Sequence, residues 1–176
     1  MRAIIRIIDA LSKAGALFAA ALLVCVLVLL SVEVVARGLF GISIEYAWEY
    51  AGYALGIMLF AGAAQTLRSG SHIRVGFLLG VKARGFGRAL DIVCTLFGLA
   101  CTGYLAYAMV LQTLKSASSN SLSFMPSQTP LVVPQAFVAA GAVLLALQMF
   151  ARLLRMVVGD PPDVKEGADT AFGIEG

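Results

Sequence analysis

The chain has 176 residues, of which 60% are apolar and 13% charged, with a formal net charge of +3 and a mean hydropathy of +0.92. A soluble domain typically carries about 25% charge and ~45–50% apolar residues, so a soluble single-domain enzyme is excluded and an integral membrane protein is expected. A cleaved signal sequence is also a poor fit, because its apolar region is ~7–15 residues and the first uncharged run, Ala14–Val32, has 19.

At the amino end, Arg2, Arg6, Asp9 and Lys13 recur at helical spacing with isoleucines and Leu11 between them. This predicts an amphipathic helix, which either lies on the inner interface or extends the first span. Four stretches then lack any Asp, Glu, Lys, Arg or His: Ala14–Val32, Tyr50–Leu67, Ile92–Leu114 and Ser116–Ala151. A helix needs ~20 apolar residues to cross ~30 Å of hydrocarbon, so the first three give one span each. The fourth opens on serines and Asn120, followed by Pro126, Pro130 and Pro134. Proline fits the first turn of a helix. Ser116–Pro130 therefore reads as a loop, and the fourth helix as running from about Thr129–Pro134 to about Arg155. The expected fold is all-α, with four transmembrane helices.

Between the first two spans, Glu33 and Arg37 stand four residues apart. They read either as a snorkelling helical pair or as a proton or cation site. Tyr46, Trp48, Tyr50 and Tyr53 mark an interfacial belt at the start of the second helix. Glu49 lies among them, and a pairing of Arg37 with Glu49 across the short loop is expected. Between the second and third spans, Arg68–Asp91 mixes aliphatic, basic and glycine residues, and a short interfacial helix near Ile73–Val81 is expected there. Residues 1–159 form the membrane domain. Residues 160–176, which carry five acids and one lysine, are expected to be a disordered tail.

Eleven of the 13 Lys and Arg residues fall on one side of this arrangement, leaving Arg37 and Lys115 on the other. The positive-inside rule makes the eleven cytoplasmic, with both termini inside. Basic loops of this kind face anionic membrane lipids, and the net charge requires no nucleic acid.

Catalytic and cofactor signatures are missing. Cys25, Cys94 and Cys101 form no CxxC motif and His72 is the sole histidine. A thiol oxidoreductase, a zinc cluster and a phosphate-binding loop are all without support, and no cofactor is expected. Ionisable residues within a membrane usually mark a transport path, and none lies near the centre of a span. Small residues do recur at helix-face spacing: Gly52 and Gly56 in the second span, and Cys94, Gly98, Thr102 and Ala106 in the third. Such stripes let helices approach closely. Internal packing is favoured for the second span, while for the third either internal packing or contact with a partner protein fits.

Taken together, Arg37–Phe40, Tyr46–Glu49, Gly62–Ala63–Ala64, Arg68 and His72–Ile73 with Val75 resemble the small membrane subunit of tripartite ATP-independent periplasmic (TRAP) transporters, the DctQ-like family. Glu49 and Gly62 are 13 residues apart, as in the family pattern, and Thr129–Pro130 and Pro134–Gln135 before Gly141 resemble its fourth-helix opening. The resemblance covers about residues 14–155. Tyr46 stands at the usual tryptophan, Trp48 at the first acid of a Glu pair, and Gly76 at an aspartate.

The resemblance implies a bacterial inner-membrane, multi-pass subunit that works with a large permease subunit and a periplasmic binding protein. The large subunit would carry an organic-acid-type solute, typically with sodium, and this chain would be scaffold rather than enzyme. The competing reading is an autonomous four-helix proton-coupled exporter using Glu33. A four-helix redox enzyme would need paired cysteines or histidines.

Overall fold

The computed structural model describes residues 2–69 and 84–158, with side chains described for residues 3–69 and 91–156. The described residues form four helices: α1 (Arg2–Phe40), α2 (Ala47–Arg68), α3 (Arg84–Ser118) and α4 (Val132–Val158). All four are long and apolar enough to cross a membrane. The expected interfacial helix at Ile73–Val81, His72 and the tail from residue 160 lie outside the described residues.

The amino-terminal segment extends the first span. Its 39 residues form one helix, about 58 Å long at 1.5 Å per residue, well beyond the ~30 Å of hydrocarbon. Ile5, Ile8 and Ser12 are buried, so this segment has a packed face. The helix stops where Gly41 takes the left-handed conformation, φ +66°, and its N–H reaches the Arg37 carbonyl at 3.2 Å. This is the usual glycine cap that satisfies a last-turn carbonyl.

The other boundaries differ modestly from expectation. Arg84–Asp91, expected within the inner loop, is already helical and belongs to α3. At its other end α3 continues to Ser118. Residues 119–131 then form a compact loop closed by a bridge between Leu122 and Pro130 and by bonds from Ser123 N to Thr129 O (2.9 Å) and Leu131 N to Ser121 O (3.0 Å). Asn120 and Gln128 take positive φ there. Pro134 lies in the first turn of α4, where its missing N–H costs nothing.

α2 packs against α1 and α4, and α4 also packs against α3 with a smaller contact to α1. α3 makes at most a marginal contact with α1 or α2. The four helices therefore form an open array with α3 at one edge rather than a closed bundle. Its interior is built from small residues: Ala47, Ala51, Ala61 and Ala64 on α2, and Ala139, Ala142 and Ala151 on α4. Large apolar side chains such as Leu17, Leu27, Leu55, Leu59 and Phe97 face outward. This inversion of the soluble pattern suits lipid, where close backbone approach holds helices together and outward leucines cost nothing.

Candidate functional site

The polar chemistry of the array gathers at its two ends. At the end where α1 begins and α4 finishes, Asp9 of α1 is shared by three helices. Its Oδ1 accepts from Arg155 of α4, from Gln148 Nε2 of α4 at 3.1 Å, and pairs with Arg68 Nε of α2 at 3.3 Å. Ser12, one turn along α1, donates to the Ile8 carbonyl (2.9 Å) and approaches Gln148 Oε1 (3.3 Å). Gln148 and Ser12 are fully buried, and Arg155 nearly so. α3 joins through Asp91, which receives Arg152 Nη2 of α4 at 2.9 Å. The two carboxylates thus tie all four helices. Charges taken out of water persist only when paired and hydrogen-bonded, so this node fixes which helix faces meet.

At the opposite end two carboxylates pin two loops. Glu33, 1% exposed, is bound by Arg37, whose Nε lies at 3.1 Å, by Ser43 Oγ at 2.9 Å and by the Ile44 N–H at 2.6 Å. Arg37 also donates to Ser43 Oγ at 3.1 Å. The loop after α1 is thereby folded back onto it. Glu49, in the first turn of α2, accepts from Tyr53 OH at 2.7 Å and from Ser127 Oγ. Ser127 Oγ lies 2.8 Å from Thr129 Oγ1, which is 3.1 Å from Tyr50 OH. Because the Ser127 proton points at Glu49, Thr129 donates to Ser127 and Tyr50 to Thr129. One relay of hydroxyls therefore fastens the 119–131 loop to α2. Arg37 and Glu49 do not pair as expected. Glu33 is one turn away from Arg37 on the same helix and takes the guanidinium, while Glu49 is turned toward the other loop.

The small residues divide between faces. A Cβ at Gly62 would touch Ala19 of α1 at 3.7 Å, and one at Gly56 would touch Val138 of α4 at 3.7 Å, whereas Gly52 meets nothing within 4 Å. Gly52 and Gly56 line a groove of about 190 Å³ with Met109 and Gln112 of α3 and Gln135 and Val138 of α4. On α3, a Cβ at Gly98 would come within 2.6 Å of Met149 Cε. Ala106 is buried, Thr102 is half-buried and donates to the Gly98 carbonyl (2.8 Å), and Cys94 is exposed. Gly98, Thr102 and Ala106 therefore belong to the α3–α4 contact, and Cys94 faces outward. The close approaches to backbone, which cannot yield as the Met149 tip can, fall elsewhere. A Cβ at Gly15 would lie 2.8 Å from the Ala61 carbonyl oxygen, and one at Gly141 2.8 Å from the Phe60 carbonyl carbon.

Asp9, Arg68, Gln148, Arg152 and Arg155 went unremarked as partners in the sequence. Their one visible signal is a polar residue, Gln148, inside an otherwise apolar run. Among the described residues no three His, Cys, Asp or Glu side chains converge.

A four-helix membrane array whose ionisable groups tie helices and loops together agrees with the motif order in the sequence. Residues 26–159 match the DctQ component of tripartite ATP-independent periplasmic transporters. The chain belongs to the DctQ family. No curated protein matches it individually. As a DctQ protein it is a multi-pass membrane component of a transporter family. Arg37, Glu49, Gly62 and Arg68, which carry the resemblance in the sequence, fall on described contacts: Arg37 with Ser43 and Glu49 with Ser127 join helix to loop, and Gly62 with Ala19 and Arg68 with Asp9 join helix to helix.

Proposed function

We propose that this chain is the scaffold subunit of a tripartite importer in the bacterial inner membrane. Its partners are a large permease subunit, which carries an organic-acid-type solute with sodium, and a periplasmic binding protein that delivers the solute. The arginine-rich end, with both termini, is cytoplasmic by the positive-inside rule. Membrane lipids surround the outward leucines, the basic inner segments lie against anionic head groups, and no cofactor or catalytic residue takes part. The membrane domain is 1–159, followed by a tail at 160–176.

The observation that carries this reading is the engagement of the helix carboxylates. Asp9, Glu33, Glu49 and Asp91 each already hold partners within the chain. A proton- or cation-coupled carrier needs an acid free to load and release its ion. Glu33, the residue an autonomous exporter would use, is held by Arg37, Ser43 and a backbone N–H. Co-expression with a tagged large permease subunit tests the reading: the chain should co-elute with it as a complex. Elution of the chain alone, folded and stable, would contradict it.

A further inference from the structure

The edge helix α3 poses a hydrogen-bonding problem that the chain does not solve by itself. Ile92–Leu114 contains no Asp, Glu, Lys, Arg or His, and Asp91 and Lys115 mark its two ends. Tyr104 lies near the centre, 13 positions along from Asp91 and 14 before Ser118, about 20 Å either way along the helix. The hydrocarbon half-thickness is about 15 Å. Tyr107 lies one turn further on. Its side chain leans toward the helix amino terminus, and so toward the membrane centre. Both rings point out of the array, 75% and 61% exposed, and neither hydroxyl makes a hydrogen bond to any described residue. Tyrosine normally sits at the interface, where its ring is in lipid and its hydroxyl in water. Hydrocarbon offers these two hydroxyls no acceptor.

We propose that the Tyr104–Tyr107 face of α3 is the surface that docks against the transmembrane helices of the large permease subunit, which present hydrogen-bond acceptors at mid-membrane depth. This rests on the scaffold reading above and names the face it uses. α3 leaves most of its circumference uncovered, because it packs almost wholly against α4. Phe97 and Leu111 lie seven residues to either side of Tyr104 and are exposed with it. They form one straight stripe, the geometry by which a second helix packs alongside. Gly98 and Ala106 are turned inward onto the α4 side, so a partner meets the aromatic stripe rather than those two residues.

The test uses the full chain co-expressed with its large subunit. Tyr104→p-benzoyl-phenylalanine keeps an aromatic ring and adds a photoreactive carbonyl. Illumination of the purified complex should yield a covalent adduct of the two subunits. Adducts only to lipid or to a second copy of this chain, in a complex that still co-elutes, would overturn the assigned face and leave the scaffold reading intact. Absence of any complex with the unsubstituted chain would overturn both. As a second measurement, Tyr104→Phe and Tyr107→Phe remove only the hydroxyls. Each should weaken subunit association about threefold to tenfold, with the thermal midpoint of the isolated chain unchanged. Unaltered association of the double variant would overturn the hydrogen-bond argument.

Discussion

Gly15 of α1 and Gly141 of α4 press on the same stretch of α2 backbone. A Cβ at Gly15 would sit 2.8 Å from the Ala61 carbonyl oxygen, and one at Gly141 2.8 Å from the Phe60 carbonyl carbon and 3.0 Å from the Ala61 nitrogen. The Phe60–Ala61 link is thus the point around which α1, α2 and α4 close. Backbone cannot move aside as a side-chain tip can. Gly15→Ala and Gly141→Ala should each lower stability in detergent by about 1–3 kcal/mol, the usual cost of overpacking. Gly52→Ala meets open space and should be neutral or slightly stabilising, as alanine is the better helix former. Thermal unfolding of the three variants decides this. Equal midpoints for all would refute the close approach.

The second prediction concerns the shared carboxylate. Asp9→Asn removes the charge that Arg155, Arg68 and Gln148 converge on. Breaking a buried pair from one side costs about 3–5 kcal/mol. Asp9 is partly exposed, so a loss of about 3 kcal/mol is expected. In a double-mutant cycle with Arg155→Met the coupling should exceed 1 kcal/mol, because the two groups touch. Simple additivity would show that the pair contributes nothing.

At the opposite end Glu33–Arg37 and Glu49–Ser127 are separate fastenings. Glu49→Gln exchanges one acceptor oxygen for an NH₂ group, so one of the bonds from Tyr53 or Ser127 is lost, at about 1–2 kcal/mol. Glu49→Gln and Arg37→Gln should therefore be additive within about 0.5 kcal/mol, while Glu49→Gln and Ser127→Ala should not. The reverse pattern in a stability cycle would restore a direct Arg37–Glu49 link.

Orientation is tested by labelling. Ser43 and Ser119 are exposed at the end away from the arginine node. With the native cysteines replaced, a cysteine at either position should react with an impermeant thiol reagent in spheroplasts. A cysteine at Ser71 should react only after lysis. Labelling of Ser71 in intact spheroplasts would invert the topology.

How much of this was legible differs from element to element. The four spans follow from runs free of charge, since hydrocarbon excludes charge wherever the helix lies. The loop at 119–131 follows from its serines and prolines. The inner ends were not legible as contacts, because Arg155 and Asp9 are 146 residues apart and no local pattern announces such a meeting. Nor does small-residue spacing say which neighbour it serves: Gly98 turned out to face Met149 of α4. Arg37 found an acid one turn back, where helical periodicity already put Glu33 within reach. The loop fold that brings Ser43 and Ile44 onto the same carboxylate leaves no trace in residue spacing.

The central claim is that this chain supports a carrier and is not one itself. The most direct measurement is solute uptake into liposomes under an imposed sodium gradient, with the cognate binding protein loaded outside. Vesicles containing this chain alone should match empty vesicles, and those containing it with the large permease subunit should accumulate solute. Sodium-driven uptake by the 18.4 kDa chain on its own would contradict the account.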